Sequence, residues 1–371
     1  MRIIVSGGGT GGHIYPAITL IKAIKSLRNS CEILYIGTNE GLEADIIPKE
    51  GLPFATIEVR GLAREISLKN VATVLKTFGS LWQSRRLISQ FKPDVVIGTG
   101  GYVCGPVLLA ASLMGIPTMI QEQNVVPGIT NRILAKFVDK IAVGYADAAK
   151  HFNRSAKVVF TGNPIRPEVL SALREEGMSK LGLDPKKKTI LISGGSRGAR
   201  SINTAMIQVH KHYAGNKNIQ LLHVTGKNEY NDIVGNLMQI GIDTATAGNI
   251  IIKPYLYDMP NALAATDLAI FRAGAIGLAE LTSLGIPSIL IPYPYAAENH
   301  QEFNARVMEH QGAAVVIKDN ELNGEKLTKV VDGLIFDNER LKVMAKASKS
   351  LGRPDAAEQI ARMAILLSNS R

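Results

Sequence analysis

Glycine-rich turns follow two apolar segments in the first half of the chain. The run IIVSGGGTGGH extends from Ile3 to His13, and VVIGTGGYVCGP places Gly100 and Gly101 after a second apolar run. Glycine lets backbone amides at the start of a helix come close to a phosphate, whatever that phosphate is attached to. Two adjacent turns of this kind indicate a diphosphate ligand. The alternative is structural, namely a tight turn after the first strand and a Gly/Pro bend after the second.

The first turn also satisfies the dinucleotide pattern GxGxxG, with Gly7, Gly9 and Gly12. That pattern requires an acidic residue near the end of the second strand to hold a ribose. Here the second apolar run, EILYIG, continues into Thr38 and Asn39. A nicotinamide-dependent oxidoreductase is therefore disfavoured, and the more general prediction of a phosphate-binding turn remains.

The second half of the chain repeats the arrangement. ILISGGSRGAR places Ser196 and backbone amides at a helix start, without the GK[ST] of a Walker sequence. FRAGAIGLAE places Gly274 to Gly277 at another helix start, with Glu280 about one turn further on. The amides suit a pyrophosphate, and the carboxylate can accept from both hydroxyls of a ribose. The alternative for Glu280 is a plain first-turn acid that stabilises its helix.

Candidate acid–base and sugar-binding residues lie at the same strand ends. His13 ends the first turn, where it can serve as a general base or a phosphate contact, although a lone histidine is usually structural. QEQN places Glu122 and Asn124 after a strand, and Asn124 can both donate to and accept from sugar hydroxyls. Gln301 either reads sugar hydroxyls or starts a solvated helix. Arg166, in GNPIR, can neutralise a departing diphosphate.

The sequence contains no DxD, no HExxH and no cluster of His and Cys residues. We therefore predict a metal-independent site in which helix dipoles, hydroxyls and a basic side chain offset the charge of a diphosphate. Cys31 and Cys104 lie in or beside apolar runs, so we expect buried free thiols in a reducing cytosol.

Short apolar strands alternate with longer helical patterns from end to end, which predicts parallel α/β sheets covered on both faces. A length of 371 residues favours two domains. Because the alternation of strand and helix patterns is interrupted near Gly162 to Pro167, we predict domains over residues 1–163 and 164–352. A final helix follows at about 353–371, and the sequence leaves open whether it packs on the first domain. Hydrophobic residues make up 46% and charged residues 20%, which excludes a disordered or fibrous chain.

A basic excess and an aromatic stripe indicate a membrane surface. The 42 Lys and Arg against 32 Asp and Glu give a formal charge of +10, which favours a polyanionic partner. No segment has the ~18 apolar residues of a spanning helix, and the immediate first strand leaves no room for a leader, so we expect a cytoplasmic chain. One helical stripe combines apolar, aromatic and basic residues as interfacial helices do: Val71, Leu75, Lys76, Phe78, Trp82 and Arg85. The alternative is that this stripe packs on its own sheet.

Six motifs occur in order along nearly the whole chain: GGGTGGH, GTGGYVCGP, QEQN, GNPIR, GGSRGAR and RAGAxxLAE. Together they resemble the MurG family of bacterial peptidoglycan glycosyltransferases. The resemblance implies an α/β fold of two Rossmann-like domains whose parallel sheets face each other across a cleft, the GT-B type. It also implies inverting transfer of N-acetylglucosamine from uridine diphosphate N-acetylglucosamine (UDP-GlcNAc) to the 4-hydroxyl of undecaprenyl-diphospho-N-acetylmuramoyl-pentapeptide. Other UDP-sugar enzymes of GT-B type and a non-catalytic nucleotide-sugar sensor remain alternatives.

The resemblance assigns roles to particular residues. The acceptor diphosphate is expected at Gly9, Gly100, Gly101 and Tyr102. His13 is the candidate base and Glu122 the alternative. The expected donor-binding residues are Thr10, Gly11, Gly12, Asn124, Arg166, Ser196, Leu256, Ala275, Ile276, Gly277, Leu278, Ala279, Glu280 and Gln301.

The family resemblance also predicts the binding partners and the cellular location of the protein. We expect no resident cofactor, no nucleic-acid partner, an anionic membrane surface at the cytoplasmic face, and cell-wall synthesis and division proteins as partners. Three positions depart from the commoner family pattern. Gln121 stands where histidine is usual, Arg197 where glutamine follows the serine, and Gly277 where a threonine would give the diphosphate a hydroxyl.

Overall fold

The chain forms two compact units in a computed structural model, one comprising Met1–Ile165 with Pro354–Arg371 and the other Arg166–Arg353. The structure describes residues 1–59, 69–153 and 157–369, and for residues 69–78 it describes the backbone alone. The division falls two residues after the predicted boundary.

The first unit is built on seven parallel strands in the order β3-β2-β1-β4-β5-β6-β7. In register, Ile3 of β1 lies between Ile33 of β2 and Val95 of β4. The strands are β1 (Arg2–Ser6), β2 (Glu32–Gly37), β3 (Phe54–Thr56), β4 (Val95–Gly98), β5 (Thr118–Glu122), β6 (Lys140–Val143) and β7 (Val158–Phe160). The helices are α1 (Gly11–Leu27), α2 (Glu43–Lys49), α3 (Lys69–Phe91), α4 (Cys104–Leu113), α5 (Ile129–Leu134) and, from the end of the chain, α15 (Ala356–Ser368).

The second unit is built on six parallel strands in the order β10-β9-β8-β11-β12-β13. The strands are β8 (Lys188–Ser193), β9 (Ile219–Val224), β10 (Ile250–Lys253), β11 (Leu268–Phe271), β12 (Ser288–Leu290) and β13 (Ala314–Val316). The helices are α6 (Pro167–Ser171), α7 (Arg174–Leu181), α8 (Arg200–Tyr213), α9 (Tyr230–Gln239), α10 (Met259–Ala264), α11 (Ala275–Leu284), α12 (His300–His310), α13 (Gly324–Ile335) and α14 (Asn338–Leu351).

Both sheets are doubly wound, and their strand order reverses in the middle. The central strands are apolar runs buried on both faces, as a sheet covered by helices on each side requires. The reversal lies between β1 and β4 in the first unit and between β8 and β11 in the second. Ligands of such sheets bind outside the carboxyl ends of the strands at this switch point. All four predicted glycine turns follow these four strands.

The final helix belongs to the first unit, which answers the question that the sequence left open. Helix α15 packs against α1, and Ile360, Ala361 and Ala364 are fully buried in the core that also contains Ile14 and Ile21. A periodic apolar face explains this placement, since a helix with such a face needs a surface to cover.

The predicted α/β class with two parallel sheets is confirmed. The apolar runs of the sequence predict ten of the described strands and miss three, namely β3, β7 and β13. Each has three residues and lies at a sheet edge. Runs this short carry almost no periodic signal, because the pattern of a strand becomes visible only over about four to eight residues.

Candidate active site

The two glycine turns of the first unit lie against each other at its switch point. The amide of Gly8 donates to the carbonyl of Gly100 over 3.2 Å. Gly101 has a φ of +86°, and a Cβ there would lie 2.4 Å from the carbonyl oxygen of Gly8. Tyr102 lies 3.6 Å from the position that a Cβ of Gly9 would take. The structure therefore brings together the four residues that were predicted to hold the acceptor diphosphate.

His13 lies in the first turn of α1 and faces the loop after β4. Its Nδ1 atom lies 3.1 Å from the carbonyl oxygen of Thr99 and 3.1 Å from Oε1 of Gln123. Burial lowers the pKa of His13 below its ordinary 6.5, and the hydrogen bonds and the carboxylate of Glu43 oppose that effect. Both hydrogen-bonding contacts of the imidazole ring are thus made by Nδ1. Among the described residues, Nε2 has no hydrogen-bond partner.

A buried carboxylate that the sequence reasoning missed supports the first turn. Glu43, in the first turn of α2, is 0% exposed and accepts from the amide of Gly9 (3.0 Å). It also accepts from the amide and the hydroxyl of Thr38, over 3.1 and 2.8 Å. Its pocket exists because three glycines surround it, and a Cβ at Gly8, Gly37 or Gly41 would overlap the side chain of Glu43.

This carboxylate changes which amides the first turn can offer to a phosphate. The amide of Gly9 is already used by Glu43. Gly11 and Gly12 are the first residues of helix α1. Their amides have no hydrogen-bond partner within the helix, because no helical residue lies four positions before them. A phosphate at this turn therefore has the helix start as its donor group.

Glu122 is enclosed at the end of β5 and holds the loop that follows. It is 1% exposed and accepts from the amides of Asn124 (2.9 Å) and Gly128 (3.2 Å) and from Nδ2 of Asn131 (2.8 Å). Burial raises its pKa, and these hydrogen bonds counteract the rise. A carboxylate saturated in this way stabilises a loop, so the geometry favours His13 over Glu122 as the base.

The glycine turn after β8 leaves Ser196 exposed at its tip. The turn rests on the loop after β9, since a Cβ at Gly198 would lie 2.0 Å from the carbonyl oxygen of Thr225. Asn203 of α8 fixes that loop by donating to the same carbonyl over 2.8 Å. It also accepts from His223 at 3.0 Å.

Helix α11 carries the predicted ribose-binding carboxylate at the second switch point. Glu280 is 6% exposed, and its Oε1 accepts from Nε and Nη2 of Arg166 at 2.9 and 2.8 Å. Burial raises the pKa of Glu280, and the guanidinium of Arg166 opposes the rise. The structure thus pairs two residues that the sequence assigned to the same ligand. The residues predicted near the diphosphate form the first turns of α11: Ala275, Ile276, Gly277, Leu278 and Ala279.

Two further predicted donor residues lie in loops of the second unit. Leu256 follows β10 between Tyr255 and Tyr257, whose rings lie 4.8 Å apart. Gln301, in the first turn of α12, accepts from the amide of Tyr293 over 2.9 Å. This contact occupies the oxygen of Gln301 and fixes where its Nε2 donor points.

The predicted membrane stripe is described only in part. The side chains of Val71, Leu75, Lys76 and Phe78 lie outside the described residues. Trp82 is 64% exposed, and the guanidinium of Arg86 lies 5.9 Å from the centre of its ring. Arg85 is also exposed. In the described part of the chain, no helix is both long and apolar enough to span a bilayer, and no three His, Cys, Asp or Glu side chains are grouped as metal ligands.

Comparison with known proteins agrees with this architecture. Residues 3–143 match the glycosyltransferase family 28 N-terminal domain, and residues 189–360 match the glycosyltransferase family 28 C-terminal domain. The two Rossmann-like units, with glycine turns at their switch points, define a glycosyltransferase of the GT-B class. The chain belongs to glycosyltransferase family 28.

Relatives that are similar over the whole length share one name, UDP-N-acetylglucosamine--N-acetylmuramyl-(pentapeptide) pyrophosphoryl-undecaprenol N-acetylglucosamine transferase. The relative from Desulforamulus reducens is 51% identical over 360 residues, which is 97% of either chain. The relative from Bacillus licheniformis is 49% identical over 360 residues, again 97% of either chain. The crystal structure of Acinetobacter baumannii MurG has a TM-score of 0.78 at 25% identity and covers 98% of this chain and 99% of its own.

Proposed function

We propose that this chain transfers N-acetylglucosamine from UDP-GlcNAc to undecaprenyl-diphospho-N-acetylmuramoyl-pentapeptide, with inversion at the anomeric carbon. The observation that carries the proposal is 51% identity, over 97% of the chain, to a transferase named for this donor and this acceptor. The structure adds a reason of its own, because groups suited to a nucleoside diphosphate sit at the second unit's switch point.

We propose that the donor binds to the second unit. Glu280 is proposed to accept from the ribose hydroxyls, and the start of α11, from Ala275 to Ala279, is proposed to donate amides to the diphosphate. Ser196 would add a hydroxyl from the turn after β8, and the backbone of Leu256 would meet uracil. In the unliganded chain Glu280 already pairs with Arg166. A ribose therefore shares this carboxylate with the guanidinium, which keeps the charge of Glu280 compensated while it binds.

We propose that the acceptor binds at the first unit's switch point, where Gly100, Gly101 and Tyr102 lie beside the glycine turn that leads into α1. His13 is proposed to remove the proton of the attacking hydroxyl, because it is a neutral base at physiological pH whose Nε2 has no partner among the described residues. Contacts of Thr10, Gly11, Gly12 and Asn124 with the donor sugar stay predictions.

The departing uridine diphosphate needs its charge offset. We infer that the start of α11 and the guanidinium of Arg166 do this without a metal ligated by the protein. The measurement is turnover with excess chelator and with added magnesium. Loss of activity in chelator, restored by magnesium alone, contradicts this inference.

Binding of the donor is tested at Glu280. Glu280→Ala is expected to weaken uridine diphosphate binding by roughly 1.5 to 3 kcal/mol, the range for hydrogen bonds to a charged group. Calorimetric titration measures this. Glu309→Ala is the matched control, because it removes another carboxylate of the same unit that pairs with an arginine, Arg306. Equal affinity of Glu280→Ala and the unaltered chain rejects the donor site.

Catalysis is tested by incubating radiolabelled UDP-GlcNAc with a lipid-diphosphate acceptor. A transferase forms labelled lipid, whereas a nucleotide-sugar sensor binds the donor and leaves it intact. His13→Ala is expected to lower kcat by roughly 10²- to 10⁴-fold while the affinity for uridine diphosphate stays the same. A His13→Ala variant with unaltered kcat removes His13 from the chemistry.

We also propose that the first unit binds the cytoplasmic face of the membrane peripherally, through the exposed face of α3. Trp82 and Arg85 support this, because an exposed aromatic ring beside basic groups is what an interfacial helix presents to anionic lipid. Trp82→Ser is expected to reduce sedimentation with anionic vesicles. Leu366→Ser, at another exposed apolar position of the same unit (70% exposed), is the control. Equal vesicle binding of both variants and the unaltered chain contradicts the proposal.

A further inference from the structure

Three buried amide side chains form a continuous hydrogen-bonded chain behind His13. Asn163 donates from Nδ2 to the backbone carbonyl of Gln123 over 2.9 Å. Gln121 donates from Nε2 to Oδ1 of Asn163 over 2.9 Å. Gln123 donates from Nε2 to Oε1 of Gln121 over 2.5 Å. All three side chains are at most 3% exposed, so water does not compete for these contacts. The last free group of the chain is Oε1 of Gln123, and it lies 3.1 Å from Nδ1 of His13.

The direction of every bond in this chain is determined by backbone carbonyls, which can only accept. The carbonyl of Gln123 requires the nitrogen of Asn163, so the oxygen of Asn163 faces Gln121. Gln121 must then donate there and present its oxygen to Gln123. A second carbonyl, that of Thr99, lies 2.6 Å from Nε2 of Gln123 and independently requires a donor at that position. Both constraints leave the oxygen of Gln123 facing the imidazole.

Nδ1 of His13 therefore meets two acceptors, the carbonyl of Thr99 and Oε1 of Gln123. A neutral imidazole carries its proton on one nitrogen alone. With the proton on Nδ1, both oxygens are satisfied and Nε2 holds the lone pair. With the proton on Nε2, the lone pair of Nδ1 would face two oxygens, and that arrangement is repulsive.

We propose that Gln123 is a positioning residue that, with the carbonyl of Thr99, fixes His13 as the Nδ1–H tautomer with Nε2 as the proton acceptor. The inference deepens the proposed function, because it names the atom of His13 that takes the proton of the acceptor hydroxyl. Gln121 and Asn163 act one step further back, by preventing the amide of Gln123 from turning over. Amides do not titrate in the physiological range, so the direction of the chain does not depend on protonation.

The first test reads the tautomer directly. The unliganded full-length protein is labelled with ¹⁵N-histidine, and two-bond ¹⁵N–¹H correlations are recorded at pH 8, with His13→Gln used to assign the signal. The expected pattern is a protonated Nδ1 and an unprotonated Nε2. A protonated Nε2 overturns the proposal. This measurement needs no substrate, so a chain without transferase activity that shows the Nδ1–H pattern refutes the proposed function and leaves the tautomer assignment standing.

The second test separates positioning from simple stability. Gln123→Met keeps the side-chain length and removes one of the two acceptors of Nδ1. It also removes all three donations of Nε2, to the carbonyl of Thr99 and to the carbonyl and Oε1 of Gln121. We expect a roughly tenfold lower kcat, an unchanged KM for UDP-GlcNAc, and a measurable fraction of the Nε2–H tautomer. The matched control is Gln220→Met in the second unit, since Gln220 is equally buried and its Nε2 also donates to a backbone carbonyl, that of Asp184, and to a side-chain oxygen, that of Thr189. The control is expected to leave kcat and the His13 spectrum unchanged. If Gln123→Met also leaves both unchanged, Gln123 does not position the base.

Discussion

The two units share a strand order but support their first glycine turn differently. In the first unit, the turn after β1 rests on the loop after β4, across the switch point, through Gly8 and Gly101. In the second unit, the turn after β8 rests on the loop after β9, through Gly198 and Thr225. The strand order therefore does not determine which neighbouring loop supports the glycine turn. In the first unit the supporting loop also carries one acceptor of the His13 imidazole, the carbonyl of Thr99. In the second unit the support lies on the side of β8 away from β11.

The two supports also hold their carboxylates differently. Glu43 is fully buried and accepts directly from the amide of Gly9 in the first turn. At the second turn, Asn203 donates both to the carbonyl of Thr225 and to Glu229, which is only partly buried. A negative charge under the first turn favours protonation of His13 and opposes anions at Gly9. At the second turn the carboxylate of Glu229 contacts Asn203 and not a glycine of the turn. The difference lies in what the carboxylate contacts, and only the first unit places a fully buried one against its glycine turn.

The largest expected effect is steric. Gly101→Ala and Gly198→Ala each place a Cβ within 2.4 Å of a carbonyl oxygen, of Gly8 and Thr225 respectively, at a positive φ. Overpacking and the left-handed backbone together are expected to lower the free energy of unfolding by roughly 3 to 5 kcal/mol. Urea unfolding measures the change. Only Gly101→Ala is expected to alter the His13 resonances, and an equal perturbation by Gly198→Ala contradicts the separation of the two supports.

The controls for this pair are Gly115→Ala and Gly215→Ala. Both glycines have positive φ, of +69° and +73°, and a Cβ at either meets no atom within 4 Å. Each substitution is expected to destabilise the protein by about 1 to 2 kcal/mol, from backbone conformation alone.

The next largest effect is expected from removing the buried carboxylate of Glu43. Glu43→Ala leaves the amide of Gly9 and two donors of Thr38 without an acceptor, so the free energy of unfolding is expected to fall by about 3 kcal/mol. Glu40→Ala, at an exposed position just before α2, is expected to change the free energy of unfolding by less than about 0.5 kcal/mol. Similar urea midpoints for the two variants contradict an anchoring role for Glu43.

Acid is expected to weaken the second unit through a buried histidine pair. Nε2 of His210 lies 3.0 Å from Nδ1 of His223, and burial lowers the pKa of His210 to about 3 and that of His223 well below its usual value. Below pH 6.5 the unfolded chain takes up protons that the folded chain does not, so stability falls as the pH falls from 6.5 towards 3. At pH 5 the loss is roughly 2 kcal/mol for each histidine.

Urea unfolding at pH 5 and pH 7 measures this dependence. His210→Gln is expected to reduce the difference between the two pH values, whereas His310→Gln, at an exposed position, is expected to retain it. An equal difference in both variants shows that the pair is not its source.

The smallest expected effect is on the pH dependence of catalysis. Because burial lowers the pKa of His13, the acidic limb of kcat/KM is expected below pH 6.5. The carboxylate of Glu43 raises that pKa, so Glu43→Gln is expected to move the limb to lower pH. A limb that moves to higher pH in Glu43→Gln contradicts the electrostatic difference between the two supports.

The sequence predicted the parts of the site that are local in the chain. Each glycine turn follows its strand directly, and Glu280 follows its turn within one helix, so spacing was sufficient. The ion pair of Arg166 with Glu280 joins positions 114 residues apart, and no local pattern indicates it. Glu43 reads as an ordinary first-turn acid, because its burial depends on α2 folding over glycines from two separate loops. The direction of the amide at Gln123 is likewise fixed by Asn163, which is 40 residues away.

The placement of α15 has a consequence for synthesis. The core of the first unit includes Ile360 and Ala364, which leave the ribosome after the whole second unit has been made. The second unit is continuous in the chain, so a chain synthesised as far as Arg353 contains all of its residues but lacks the helix that packs on α1. The amino-terminal unit therefore receives the last residues of its core only after every residue of the second unit has been synthesised, although domains generally fold with the amino-terminal one first.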